Sequence, residues 1–141
     1  MSVILAALAI AAVVAVRRRW LVVTVRGSSM TPTLHDGQRL IARRGHDYRT
    51  GDIIVFRVEL ADTPALRVKR VAAVGGDPVP MRLRAGVLAG VRHAVPARHV
   101  VVAGDNPRSE DSRHVGFVSD DAIQGIVRAA GFRKPGTAGD R

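Results

Sequence analysis

From residue 20 onward, short apolar runs alternate with clusters of glycine, proline, aspartate and asparagine. Short runs rich in β-branched residues and bounded by such turn formers are typical of β-strands. The pattern predicts strands at 21–25, 39–42, 53–58, 66–74, 87–91, 99–103 and 123–129. Because no long helical period separates them, an all-β sandwich or barrel is favoured over βαβ units.

The N-terminus has a different pattern. Residues 3–16 carry no polar side chain and are followed by Arg17, Arg18, Arg19 and Trp20. As a helix these fourteen residues would rise about 21 Å, less than the roughly 30 Å hydrocarbon core of a bilayer. A secretory signal peptide and a buried core helix are the rival interpretations. A charged segment before the apolar run and a small-residue cleavage site before the arginines are both missing, so we expect a short membrane anchor helped by snorkelling Arg and interfacial Trp.

These patterns divide the chain into three parts. A chain of 141 residues that is 47% hydrophobic can hold one modest domain. We expect an anchor with its basic flank at residues 1–20, a β-rich domain at 21–131, and a disordered polar tail at 132–141.

Composition removes several classes of site. There is no cysteine, and the five histidines show no metal-ligand spacing, so neither a disulfide scaffold nor a metal site is expected. Aromatic residues make up only 4% of the chain, which argues against stacking platforms for nucleic acid bases. The net charge of +10 comes from arginines scattered along the chain, and we expect no nucleic-acid partner from charge alone.

Lysine is rare in this arginine-rich chain. Only Lys69 and Lys134 occur beside twenty arginines, and Lys69 lies inside an apolar, strand-like run. Arginine cannot lose its proton in a protein, whereas a desolvated lysine can. Its pKa would have to fall by roughly 3 units for it to act as a base near neutral pH. Alternation places Arg67 and Lys69 on one face of the strand and Val68 on the other.

Ser29 is the partner that such an amine could activate. It follows Gly27 and Ser28 and precedes Met30 and Pro32, so the chain turns directly after a predicted strand. That turn can expose a hydroxyl and direct backbone N–H groups at an oxyanion. The pair indicates a serine hydrolase with a lysine base. In isolation, Ser29 could equally be a turn residue, and Lys69 could equally point outward from an edge strand.

A third element follows the strand at 99–103. Gly104, Asp105 and Asn106 have the composition of a tight turn. Further along, Asp111 and Arg113 can form a charge-assisted pair that holds the loop. A polar surface loop would explain the same residues.

Taken in order, these elements resemble the type I signal peptidase family. The shared motifs are Ser-Met-x-Pro-Thr-Leu at 29–34, Gly-Asp-Ile-Ile-Val-Phe at 51–56, Lys-Arg-Val at 69–71, and Gly-Asp-Asn followed by Ser-x-Asp-Ser-Arg between 104 and 113. The match spans about residues 22–120. The resemblance implies a coiled antiparallel β-sheet or barrel behind an apolar anchor helix.

The resemblance also implies residue roles. Ser29 would be the nucleophile, Lys69 the general base, and Ser109 the residue that orients the lysine. Backbone N–H groups at Ser29, with Ser28, would form the oxyanion hole. The supporting residues of the last motif would be Gly104, Asp105, Asn106, Asp111, Ser112 and Arg113, with Asp111 and Arg113 as a structural ion pair. Small substrate side chains would be accepted near Met30, Leu34 and Val68. No metal or organic cofactor is implied.

Three positions depart from the family pattern. Gly27 stands where some members place a serine that donates to the oxyanion. Residues 73–77 read Ala-Val-Gly-Gly-Asp in place of Gly-x-Pro-Gly-Asp, and Pro107 follows Asn106 where arginine is usual. A similar Asn-Pro occurs in small relatives that process one substrate, such as nickel superoxide dismutase maturation proteases.

The expected function is therefore a membrane-anchored serine endopeptidase that removes signal peptides. Its expected partners are membrane lipid and secretory precursors with small residues at the first and third positions before the cut. We expect a single-pass monomer with its domain on the extracytoplasmic face, although the positive-inside rule would place the domain in the cytoplasm. The alternatives are a maturation protease for one substrate, and a non-catalytic, membrane-bound peptide-binding module.

Overall fold

A computed structural model of the protein describes residues 2–60 and 63–127. Within these residues the chain forms two α-helices and seven β-strands, joined by three short 3₁₀ turns. The helices are α1 (Ser2–Arg19) and α2 (Ser112–Val115), and the strands are β1 (Trp20–Thr24), β2 (Arg39–Arg43), β3 (Ile53–Leu60), β4 (Thr63–Val74), β5 (His99–Ala103), β6 (Val118–Ser119) and β7 (Ile123–Val127).

The strands form one antiparallel sheet in the order β1-β2-β7-β3-β4-β5-β6. The prediction of an antiparallel β-domain behind an N-terminal helix is confirmed. Within the described residues the sheet is not closed, so the barrel form of that prediction is wrong. The open order leaves β1 at one end of the sheet.

Alternation along β3 and β4 divides the apolar residues between two faces. Val68 lies opposite Val55 and Lys69 lies opposite Ile54, so the two neighbours in β4 point to opposite faces. Val55 belongs to a first core, and Val68 packs against it; that core comprises Val23, Val25, Met30, Leu34, Leu40, Ala42, Ile53, Val55 and Val127. Ile54 belongs to a second core that includes Phe56, Val71, Val100 and Val102.

The helix α1 runs directly into the first strand. It ends at Arg19 and β1 begins at Trp20. Its side chains from Val3 to Arg19 are exposed, so the interpretation as a buried core helix is wrong. Among the described helices, none has both the length and the apolar character needed to cross a bilayer. Membrane anchoring stays a prediction.

Other differences from the predicted elements lie in the loops. Residues 87–91 were expected as a strand, but Gly86–Leu88 forms a 3₁₀ turn that begins at Gly86 with a positive φ of 58°. The amides of residues 89 and 91 donate to carbonyls within the same segment at 3.1 Å, so its backbone forms successive turns and not a strand. The end of the predicted strand 123–129 and the tail 132–141 lie outside the described residues.

Candidate active site

Ser29 lies in the loop between β1 and β2, and buried residues on its C-terminal side hold this loop. Met30 and Leu34 are buried in the first core, and the Leu34 amide donates to the Met30 carbonyl at 2.9 Å. Before Ser29, Gly27 turns the chain with a φ of 78°, and its amide donates to Asp36 Oδ1 at 2.7 Å. Ser29 itself is only half-buried, so it lies near the surface beside the buried side chains that hold the loop.

Lys69 is a buried amine in the middle of β4, with only 2% of its surface exposed. Its Nζ donates to Ser109 Oγ at 2.8 Å, and the Ser109 hydroxyl in turn donates to the Glu110 carbonyl at 3.1 Å. Burial, followed by the positive charge of Arg67, lowers the pKa of Lys69 from 10.5 to about 8, against the opposing charges of Asp111 and Glu110. A neutral amine is therefore accessible close to physiological pH.

The turn at 104–106 lies between Ser29 and the residue that holds Lys69. The amide of Asn106 donates to the Ser29 carbonyl at 3.1 Å, and its side-chain amide donates to the Ser28 carbonyl at 3.0 Å. A Cβ added at Gly104 would overlap the Ser109 side chain and come within 2.5 Å of the Ser29 carbonyl oxygen. Gly104 is thus the point where the Ser29 loop and Ser109 come together.

Asp105 connects the lysine strand to the Ser29 loop. It accepts two hydrogen bonds from Arg70, at 2.8 and 2.6 Å, and one from Thr33 Oγ1 at 2.5 Å. Arg70 directly follows Lys69 and also donates to the Gly51 carbonyl at 2.7 Å. The side chains of Arg70 and Asp105 are 9% and 7% exposed, and such a desolvated bidentate pair fixes geometry strongly.

The residues that follow Ser109 attach the segment 109–113 to β5. Asp111 caps α2 and accepts from Arg113 Nε at 2.9 Å, as the sequence led us to expect of this pair. Arg113 also donates to the Ser109 carbonyl at 3.2 Å. Ser112 is buried, and its hydroxyl accepts from the Val102 amide at 2.8 Å. The position of Ser109 opposite Lys69 is therefore set by a network of several contacts.

The Ser29 loop is linked to Lys69 through Gly104 and Ser109. Within the described residues neither the hydroxyl nor the backbone amide of Ser29 takes part in a hydrogen bond, and Lys69 Nζ contacts Ser109. The Ser28 carbonyl is already occupied by Thr31 and Asn106. The Ser29 N–H and hydroxyl are thus both available to a bound carbonyl group.

A groove of about 540 Å³ runs beside Ser29, between β1 and β4. β1 pairs only with β2, and β4 pairs with β5 only from Arg70 onward. Among the strands that the structure describes, residues 63–69 therefore have an unpaired edge that faces the unpaired edge of β1. The lining residues are Val22, Val23, Thr24, Val25, Arg26, Ser29 and Met30 on one wall, and Ala65, Leu66, Arg67 and Val68 on the other. Of the three expected pocket residues, Met30 and Val68 line the groove and Leu34 lies buried in the first core.

The groove also contains residues that the sequence did not single out. Arg26 and Ala65 line it although neither belongs to a motif. They lie on opposite walls, which come together only because two segments far apart in sequence are neighbours in the fold. No group of three or more His, Asp or Glu side chains suited to hold a metal ion lies in the part of the chain described by the structure.

A comparison with protein-family models identifies the family of the chain. A family model described as signal peptidase, peptidase S26, matches residues 1–89 and 84–132, which together cover nearly the whole chain. A search of the curated proteins found no match to this chain.

Proposed function

The chain belongs to the signal peptidase family, peptidase S26, and on that premise we propose a serine endopeptidase in which Ser29 is the nucleophile and Lys69 the general base. The observation that carries the proposal is the buried Lys69 amine, held by Ser109, while Gly104 brings Ser109 against the Ser29 loop. A lysine base must be desolvated to be neutral near physiological pH, and it must be held close to its nucleophile. The burial of Lys69 meets the first requirement, and the approach of Ser109 and the Ser29 loop at Gly104 supports the second.

In the first half of the reaction, neutral Lys69 takes the Ser29 hydroxyl proton while Oγ attacks the scissile carbonyl carbon. Because Ser109 accepts one Lys69 N–H, it orients the amine without occupying its lone pair. The unengaged Ser29 N–H stabilises the oxyanion that forms. The carbon–nitrogen bond then breaks, and protonated Lys69 gives its proton to the leaving amine.

The second half releases the acyl group. Neutral Lys69 takes a proton from water, and the resulting hydroxide attacks the Ser29 ester carbonyl. When the tetrahedral intermediate collapses, the carbon–oxygen bond to Ser29 breaks and the proton on Lys69 returns to Ser29 Oγ. The free enzyme is restored, and one water molecule has been consumed for each peptide bond cut.

The groove is the expected substrate site. An extended peptide can add a strand to an exposed sheet edge, with its alternate side chains entering pockets. In this groove the peptide would lie between β1 and the free half of β4. Side chains that point to the first core would meet the apolar Met30 and Val68. From membership of the signal peptidase family, we propose substrates with small residues at the first and third positions before the cut, as in secretory precursors.

Membrane association forms part of the same proposal. The exposed apolar side chains of α1 would be covered by lipid, and α1 continues without a linker into the β1 wall of the groove. A precursor held in the bilayer by its own apolar segment would then present its cleavage site beside the groove. We place the domain on the extracytoplasmic face, where exported precursors emerge.

The test compares wild type, Ser29→Ala and Lys69→Arg in detergent, on a precursor with alanine at the first and third positions before the cut. Lys69→Arg retains the charge and removes the base. Both variants should lose at least about 10³-fold in kcat/KM. Ser119→Ala is the matched control, because this serine lies in β6 and its side chain caps no backbone group.

Two results would change the assignment. Cleavage at the wild-type rate by Ser29→Ala would remove Ser29 as the nucleophile. A wild-type protein that is inert on several such precursors would favour a dedicated substrate or a non-catalytic binding role.

A further inference from the structure

Each wall of the groove carries an arginine. Arg26 lies just beyond β1 and Arg67 lies in β4, and both line the groove, whereas no acidic side chain lines its described walls. Within the described residues Arg26 has no hydrogen bond or ion pair. Arg67 contacts Glu110 at 3.6 Å in a pair whose side chains are 35% and 69% exposed. Exposed pairs of this kind are weak, so a ligand carboxylate can compete for Arg67.

Alternation places both arginines on one face of the sheet. Val68 packs against the first core and Arg67, its neighbour in β4, points the other way. In the same manner Val25 is buried in the first core, whereas Arg26 is exposed. The two arginines therefore lie on the face of the groove opposite the first core.

A bound peptide has the same alternation. If its first and third residues before the cut point to the first core, its second residue points to the opposite face. That face carries Arg67 on one side and Arg26 on the other. A carboxylate at the second position would be placed between two cationic walls.

We propose that this groove selects substrates with aspartate or glutamate at the second position before the cut, bound by Arg26 and Arg67. The inference rests on the proposed function for the direction of the peptide. It narrows the substrate class from precursors with small flanking residues to those with a small-acidic-small sequence. Charge complementarity across a groove of this kind contributes to specificity.

The first experiment uses two peptides that differ only in Ala-Glu-Ala against Ala-Gln-Ala before the cut. It is run at about pH 9, where Lys69 is largely neutral, so that the added carboxylate has little influence on the base. For wild type, kcat/KM for the glutamate peptide should exceed that for the glutamine peptide about threefold to tenfold. The ratio should fall to about 1–2 in an Arg26→Gln and Arg67→Gln double variant. Arg98→Gln, which removes an exposed arginine paired with Asp120 and Asp121, should leave the wild-type ratio.

A second experiment is independent of cleavage. Binding of the same two peptides, fluorescently labelled, is measured by anisotropy on the Ser29→Ala variant with and without the two arginine substitutions. A glutamate preference that is lost in the arginine variants supports the inference even if no peptide is cut, and the loss of cleavage then counts against the proposed function alone. Equal affinity for the two peptides, or a preference that survives both substitutions, overturns the inference even if cleavage is normal.

Discussion

Gly104→Ala is the substitution that tests the proposed site most directly. Gly104 carries no positive φ, so alanine is compatible with its backbone conformation, and only the space for a methyl group is missing. That methyl group would overlap the Ser109 side chain and approach the Ser29 carbonyl oxygen to 2.5 Å. The two residues that border it are the proposed nucleophile and the residue that holds the proposed base.

The size of the effect follows from this geometry. A normal carbon–oxygen contact is near 3.5 Å, so the Ser29 backbone or the 104–106 turn must move by about 1 Å. Overpacking of this kind costs about 1–3 kcal/mol of stability, which lowers Tm by about 3–10 °C for a chain of this length. A displacement of about 1 Å at a catalytic group costs about 10²-fold in rate. We therefore expect a folded protein whose kcat/KM is reduced far more than its stability.

The assay measures kcat/KM on the alanine-containing precursor together with thermal unfolding by circular dichroism. Gly90→Ala is the control, because Gly90 has an ordinary φ and nothing lies within 4 Å of an added Cβ; it should change neither quantity. If Gly104→Ala retains kcat/KM within about threefold and its Tm is unchanged, the close approach of Ser29, Gly104 and Ser109 is wrong. If Gly104→Ala yields no soluble protein, it is combined with Ser109→Gly, which removes the overlapping side chain. Recovery of soluble protein in the double variant would show that the overlap with Ser109 causes the loss.

Three further outcomes are expected. If neutral Lys69 is the base, as proposed, kcat/KM should rise with pH through about 8, and Arg67→Gln should move this rise to higher pH, since it removes a positive charge that lowers the pKa of Lys69; a pH–rate profile unchanged by Arg67→Gln would contradict this. Ser109→Ala should lower kcat about 10²-fold with little change in KM, because it removes the hydrogen bond that orients the amine and Ser109 does not line the groove; an equal loss in KM would argue for a role in substrate binding. Asp105→Asn should cost about 3–5 kcal/mol in urea unfolding, as one partner of a buried pair, whereas the exposed Asp121→Asn should cost less than about 0.5 kcal/mol; equal costs would refute the difference in burial.

Local sequence patterns were sufficient for much of the fold. The predicted strand 99–103 has the observed bounds, because an apolar β-branched run ends there at a glycine turn. Alternation in β4 also put Arg67 and Lys69 on one face, which the register with β3 bears out. Strand signals of this kind depend on neighbours within a few residues, so they can be read without the tertiary structure.

The contacts that assemble the site could not be read in the same way. Thr33 meets Asp105 and Ser28 meets Asn106, and each pair joins loops more than seventy residues apart. Such contacts depend on how β4 and β5 pair, including a register shift between Val71 and Ala73. A polar loop has no period that reveals its partner. The β1 wall of the groove could not be predicted for a related reason, since the groove lies between two strand edges that are unpaired among the described residues.

Different contacts hold the proposed active site and the groove, so substitutions in the two regions are expected to have different effects. Asp105, Asn106 and Ser109 connect the Ser29 loop, the lysine strand and β5 in one network, so a shift in any of them moves the proposed dyad. The groove walls, by contrast, are each paired with a single neighbouring strand along the groove. Within the described part of the chain, the Arg26 side chain makes no hydrogen bond or ion pair to the residues of that network. We therefore expect substitutions such as Arg26→Gln to alter the proposed peptide preference while the contacts that hold the proposed dyad are retained, whereas Arg67→Gln would also change the pKa of Lys69.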